Sequence, residues 1–235
     1  MTLALQTSDL CRRYGARWAL ARVDLEVAPG ERFLVFGENG GGKTTLLKVL
    51  STALAPTRGT LRIFGIDPQR DLVAARRHLA LLTHLPSLYE DLSARENLQV
   101  VDRLTGMGED VGHWLARVGL KDRSDPVRTY SAGMRKRLSF ARMLMQRPRI
   151  AFIDEPYGQL DPEGMAFVDE LLGDLARGGC TVFVASHQVE RASALCDRAL
   201  LIRQGLPRWS GKASDAPRAW KLHLEEPRVA DGNQP

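Results

Sequence analysis

Phe36–Thr45 reads FGENGGGKTT, and within it Gly37-x-x-x-x-Gly42-Lys43-Thr44 fits the phosphate-binding loop pattern at every position. The chemistry this implies is polyphosphate recognition, which needs many donors converging at short range. Gly37, Gly40, Gly41 and Gly42 are expected to take φ > 0, so that successive N–H groups, through Glu38 and Asn39, turn inward as an anion nest. Lys43 adds a point charge between the β- and γ-phosphates, and the Thr44 hydroxyl is suited to ligating Mg²⁺. Thr45 lies in the first turn of a helix expected over Thr44–Leu54, whose positive end faces the same anion. An ordinary Gly-rich turn would not need a strand before it. Here Arg32–Phe36 (RFLVF) is an apolar, β-prone run that ends at the loop.

A second cluster lies more than a hundred residues on. Ile150–Ile153 is an apolar strand ending in Asp154-Glu155. Asp154 would hold Mg²⁺ through water, and Glu155 would polarise an attacking water. Acidic turns after buried strands are common, and it is the phosphate loop upstream that gives this one meaning. Ser131 opens a helix as an N-cap residue, and with the Gly133 N–H and the helix dipole it also forms an anion site. His187 follows the apolar strand Val182–Ser186. A lone histidine there is commonly a surface or capping residue, but the end of a parallel strand would bring it beside the phosphates.

These groups need a scaffold. The 235 residues, 44% hydrophobic, suffice for a substantial core. No apolar run of about 18 residues is present, and the N-terminal MTLALQTSDLCRRYG lacks the continuous apolar stretch of a secretion signal, so a cytosolic protein is expected. Cys11, Cys180 and Cys196 are widely spaced, which argues against a disulfide framework or zinc site. The net charge of +5 comes mostly from arginines interleaved with acids, the pattern of a solvated mixed-charge surface; charge alone does not decide the partner, though no nucleic acid is expected.

The first 35 residues alternate apolar and polar, predicting an antiparallel β-subdomain. Strands are predicted at Thr60–Phe64, Leu79–Thr83, Arg149–Ile153, Cys180–Ala185 and Ala199–Arg203. Helical periodicity runs from Leu92 to Arg147 and returns at Met165–Ala176 and Val189–Leu195. Alternating strands and helices predict an α/β fold with a mainly parallel sheet covered on both faces. Pro207–Pro235, rich in Pro, Gly, Asp and Arg, is expected to be a partly ordered extension.

With these elements in order, residues 3–206 resemble the ATP-binding subunit of ABC transporters. Gly37–Thr45 matches the family's Walker A motif, Tyr130–Met134 its signature, Ile150–Glu155 its Walker B motif, Leu160-Asp161 its D-loop and Ser186-His187 its switch histidine. Tyr14 stands at the aromatic position that stacks on adenine. The resemblance implies a P-loop NTPase (RecA-like) core over 1–206, with an α-helical subdomain inserted at about 85–148 and a tail over 207–235. The departures are His84, at the position of the Q-loop glutamine, and Ala132 and Met134, which replace the signature's usual Gly and Gln.

The resemblance further implies ATP and Mg²⁺ as ligands and a head-to-tail homodimer or paired ATPase subunit. Ser131 and Gly133 of one subunit would cover the γ-phosphate held by Lys43 of the other, Glu155 would orient water, His187 would stabilise the γ-phosphate, and Asp161 would communicate across the interface. The motion would pass to an integral membrane permease docking near His84–Asn97, placing the chain peripherally on the cytoplasmic face of the cell membrane. Leu88, Tyr89 and Leu92 suit that interface or, equally, core contacts of the helical subdomain. The segments THLPSLYEDLSARENL, YSAGMRKRLSFAR and DEPYGQLDPEG look closest to the haem-exporter subunit of cytochrome c maturation, with an ABC-2 type exporter of drugs, lipid or polysaccharide as the alternative. A non-transport ABC ATPase acting on DNA or the ribosome would carry a long coiled-coil insert or a second ATP-binding domain, and neither is present.

Overall fold

The computed structural model of the chain describes residues 2–84, 87–158 and 160–225. The strands are β1 (Leu5–Tyr14), β2 (Arg17–Val27), β3 (Arg32–Phe36), β4 (Arg58–Ile63), β5 (Leu79–Leu82), β6 (Ile150–Asp154), β7 (Thr181–Ala185), β8 (Arg198–Arg203) and β9 (Leu206–Lys212). The helices are α1 (Lys43–Leu50), α2 (Leu72–Arg76), α3 (Ala94–Thr105), α4 (Val111–Arg117), α5 (Ala132–Leu144), α6 (Pro162–Arg177), α7 (Val189–Ser193) and α8 (Ala216–Glu225).

Two sheets share the load. The antiparallel sheet, in order β2-β1-β4, carries the alternating N-terminal sequence. The larger sheet, in order β5-β6-β7-β3-β8-β9, is parallel except for its last strand. RFLVF, IAFID and TVFVA are buried along almost their full length, as strands covered on both faces must be. Their side chains divide by parity. Phe33, Phe183 and Phe152 lie in register across β3, β7 and β6, with ring centroids 5.4 and 5.0 Å apart, and pack towards α1 and the antiparallel sheet. Leu34, Phe36, Ile153 and Val184 point the other way, into the core shared with α3, α5 and α6.

The region between β5 and β6 is helical, as its periodicity predicts. It breaks into α3, α4, a short 3-10 turn at Val127–Thr129, and α5. Ser93 begins α3 with a capping box to Glu96, and Gly106 ends it in the left-handed conformation. α1 stops at Leu50, short of the expected Leu54, because Thr52 takes φ 63° and turns the chain before Pro56.

The extension expected beyond Pro207 is different in kind. Leu206–Lys212 adds an antiparallel strand to the edge of the large sheet, and α8 follows. Trp209 and Trp220 set their rings edge-on to Phe36, at 5.9 and 6.2 Å, and so complete the core beneath β3. Proline, glycine and charge masked two tryptophans that have a buried partner. Residues 226–235 lie outside the described residues.

Candidate functional site

Four of the sequence-predicted groups come together because they follow parallel strands at one edge of the sheet, where open α/β sheets bind ligands. The loop at residues 37–42 follows β3, His84 follows β5, Asp154-Glu155 ends β6, and Ser186-His187 follows β7.

The loop is shaped by close approach. At Gly37, φ is 145° and a Cβ would stand 2.0 Å from the Ile202 carbonyl oxygen of β8. Gly42 is the α1 N-cap at φ 116°, where a Cβ would come within 2.8 Å of the Ala19 carbonyl of β2. Asn39 and Gly40 form the exposed crown of the loop, and Gly40 takes φ 76°.

Gly41 departs from the expectation. Alone among the loop's four glycines it does not take a positive φ, and its N–H does not stand open in the loop. That N–H instead closes a turn onto the Glu38 carbonyl at 3.0 Å, while the Gly41 carbonyl accepts from the Gly205 N–H at 2.8 Å. Both backbone groups of buried Gly41 are therefore spent on holding the loop's shape. Glycine is needed there for space, because a Cβ would meet the Glu38 and Ile202 carbonyl oxygens at 2.9 and 3.0 Å.

With Gly42 as the cap, no side chain satisfies the first N–H groups of α1, those of Lys43, Thr44 and Thr45, which are left to an anion. Lys43 is only 6% exposed, and its Nζ donates to the carbonyls of Gly37 (2.9 Å) and Glu38 (3.1 Å) while standing 4.0 Å from Glu155 Oε1. Burial lowers its pKa from the ordinary lysine value, and the nearby Glu155 and Asp154 carboxylates partly offset this. The ammonium is held in place by its own loop.

Asp154 is 1% exposed. Its Oδ2 accepts a hydrogen bond from Thr44 Oγ1 at 2.8 Å and lies 3.6 Å from His84 Nδ1, whereas Oδ1 is buried with no hydrogen-bond partner. A buried carboxylate oxygen in that condition is costly unless a cation or water meets it. A carboxylate beside a hydroxyl, with an unmet oxygen, fits a hard cation such as Mg²⁺, which binds through one or two protein oxygens and completes its shell with phosphate and water. Among the described residues no group of three or more His, Cys, Asp or Glu side chains could by itself hold a metal.

Glu155 takes φ 49°, an uncommon conformation for a residue with a side chain. Its N–H donates to the Ala185 carbonyl (2.8 Å), and its own carbonyl accepts from Lys136 Nζ (3.0 Å). The carboxylate thereby reaches His187 Nδ1 at 2.9 Å and Ser186 Oγ at 3.5 Å. With the carboxylate as acceptor, the His187 Nδ1 carries the hydrogen. His187 is 54% exposed on its other side.

The remaining predicted residues lie at the margins. Tyr14 ends β1 at the hairpin, 46% exposed, with the Arg12 guanidinium 4.9 Å from its ring centroid. Ser131 is the exposed N-cap of α5, its Oγ accepting from the Met134 N–H (3.2 Å), and Gly133 lies in the same first turn. Asp161 caps α6 by accepting from the Gly164 N–H at 2.7 Å. In the stretch expected to dock a partner, Leu88 packs on the core, while Tyr89 is exposed and its backbone is braced by buried Asn97 on both sides (2.8 and 3.0 Å). Leu85 and Pro86 of that stretch lie outside the described residues.

Sequence reasoning missed two residues. Lys136 looks like one of three surface basic residues in Arg135-Lys136-Arg137, yet it shares the buried face of α5 with Ser139, Phe140 and Met143, and that phase was the available signal. Arg203, at the end of β8, is buried, with Nε 3.5 Å from Glu38 Oε1 of the loop and Nη1 donating to the His223 carbonyl of α8. Nothing in its local sequence points to that role.

Comparison with known proteins agrees with this geometry. Residues 20–158 match the family model described as ABC transporter. The chain is 40% identical over 200 residues to the daunorubicin resistance ATP-binding protein DrrA3 of Streptomyces coeruleorubidus, covering 83% of this chain and 63% of that protein. It is 34% identical to the Nod factor export ATP-binding protein I of Cupriavidus metallidurans (90% of this chain, 72% of that one). With the bacitracin transport ATP-binding protein BcrA of Enterococcus faecalis it shares 30% identity (87% and 68%). The chain thus spans less than two thirds of the length of the Streptomyces relative. A solved ATP-binding subunit of an ABC transporter superposes with a TM-score of 0.84 at 27% identity, over 94% of both chains. The chain belongs to the ABC transporter family, as an ATP-binding domain.

Proposed function

We propose that this chain binds and hydrolyses ATP to drive a separate membrane subunit of an exporter. The observation that carries the reading is the convergence of Lys43, the Thr44–Asp154 pair and the Glu155–His187 pair at one edge of the parallel sheet. The triphosphate would lie along residues 37–45, taking N–H groups of the loop's crown and of the first turn of α1. Lys43 would exchange its two carbonyl contacts for phosphate oxygens, a stronger charge-assisted pairing. Thr44 and Asp154 would hold Mg²⁺, which neutralises developing charge on the phosphates. His84 would contact the same carboxylate in place of the family's glutamine. Glu155 would orient the attacking water and accept its proton, with His187 fixing the carboxylate and facing the γ-phosphate. Tyr14 would meet the adenine.

One subunit does not enclose the nucleotide, so a second copy or a paired ATPase would bring Ser131 and Gly133 over the γ-phosphate and Asp161 to the interface. Exposed Tyr89 and its neighbours within His84–Asn97 would receive the membrane partner, putting the chain on the cytoplasmic face of the membrane. On this reading residues 1–206 make up the ATP-binding domain, with the helical insert at about 85–148.

For cargo we favour the ABC-2 type exporter over haem export. The relatives are named for resistance to daunorubicin, for bacitracin transport and for Nod factor export, and these names support an amphiphilic cargo better than a porphyrin. Glu155→Gln tests the enzymatic core. It should leave ATP binding intact, accumulate an ATP-bound dimer and lower turnover by about 10²–10⁴-fold, the range of a general base. Full turnover in that variant would remove Glu155 from the reaction.

A further inference from the structure

Glu155 is held in a backbone conformation that it would not choose alone. Its N–H is pinned to β7 through Ala185, and its carbonyl, which also accepts from the Gly158 N–H at 3.3 Å in the following turn, is pinned to α5 through the shorter bond from the Lys136 ammonium at 3.0 Å. Lys136 is 8% exposed, and Glu155 O is the acceptor of its hydrogen bond. Burial lowers the lysine's pKa, while Asp154 and Glu155 act to keep the charge on. A buried ammonium is costly to keep, and an apolar residue of the same length would fill the volume more cheaply. Its place is informative as well. Lys136 lies five residues after Ser131 on the same helix, so α5 is a rigid rod with the signature serine at one end and the Glu155 peptide bonded to its side one and a half turns later.

We infer that Lys136 is a positioning residue for catalysis, fixing the Glu155 peptide so that its carboxylate faces His187 and Lys43, and tying the water-orienting group of a subunit to the signature end of its own α5. The inference rests on the ATPase reading above. It gives a physical route between two nucleotides in a dimer: closure of Ser131 and Gly133 on one phosphate would press α5, and α5 holds the carboxylate that serves the other. The hydrogen bond acts on the carboxylate's aim, so it should affect turnover and spare the binding of ATP.

The test is a double-mutant cycle in the full chain, combining Lys136→Met with Glu155→Gln and measuring single-turnover hydrolysis, MgATP affinity by a fluorescent nucleotide, and thermal unfolding. Lys136→Met should lower the rate roughly ten- to a hundred-fold, the span of one charge-assisted hydrogen bond, with affinity changed by less than about three-fold. In the Glu155→Gln background it should cause no further loss, because a residue acting only through Glu155 has nothing left to act on. A wild-type rate in Lys136→Met, an equal loss in both backgrounds, or a loss seen equally in affinity would each overturn the inference. If Lys136→Met does not fold, Lys136→Gln, which loses the charge and one atom of reach, enters the same cycle with the same criteria. Failure of the ATPase reading looks different: the unmodified chain would not bind MgATP, or Glu155→Gln would turn over normally.

Discussion

Replacing Gly37 by alanine would probe the loop where it is most constrained. The added methyl would stand 2.0 Å from the Ile202 carbonyl oxygen and 3.1 Å from its carbon, and both belong to backbone in β8 rather than to a side chain that could swing aside. β8 is paired with β3 directly beneath the loop, Phe36 opposite Leu201, so relief requires the loop to lift or the strand pairing to open. Overpacking costs about 1–3 kcal/mol, and the Gly-favoured φ of 145° adds roughly 1–3 kcal/mol. The sum, about 2–6 kcal/mol, corresponds to a fall in Tm of roughly 4–24 °C for a chain of this size. Gly40→Ala is the internal control. That residue has φ 76° with nothing within 4 Å of the new Cβ, so only the backbone term of about 1–2 kcal/mol applies, or roughly 2–8 °C. Thermal unfolding followed by circular dichroism without nucleotide compares the two. If Gly37→Ala melts no lower than Gly40→Ala, the close approach between loop and β8 is not the constraint it is argued to be.

Lys43→Ala removes two donated hydrogen bonds and the charge that would face the phosphates. MgATP affinity measured by calorimetry should fall by about ten-fold or more, and unchanged affinity would contradict the loop assignment. Trp220→Ala removes the ring that α8 sets against Phe36. Partial burial makes the cost about 2–4 kcal/mol, or a Tm lower by roughly 4–16 °C, and an unchanged melt would mean that the helix contributes little to the core beneath β3.

The loop, the acidic pair and the strand-end histidine were legible from sequence because each depends on local spacing next to an apolar run. RFLVF, IAFID and TVFVA announce their strands, and parallel pairing then brings their C-terminal ends together. What was not legible depends on contacts between distant parts. Gly41 reads like its neighbouring glycines, and only the approach of Ile202 and Gly205 shows that it needs glycine for space and not for a positive φ. Lys136 is read as surface charge until the buried phase of α5 is known. The positive φ at Glu155 is accompanied by hydrogen bonds with the local Gly158 N–H and with β7 and α5, and the last two are not encoded in Asp154-Glu155 itself. The C-terminal strand and helix were missed for a related reason: local composition outweighed the pairing of β9 with β8, a tertiary effect. The ion pair between Arg203 and Glu38 joins residues 165 positions apart along the chain, and no local pattern foreshadows it.

That last pair has a consequence for how the phosphate loop and α8 would influence each other. Arg203 forms an ion pair with the loop's Glu38 on one side and donates to the carbonyl of His223 on the other, so a rearrangement of the loop at Glu38 would reach α8 through this one side chain. Linkage makes the influence mutual: whatever stiffens that helix also biases the crown. Amide exchange in α8 would then report on filling and emptying of the cradle.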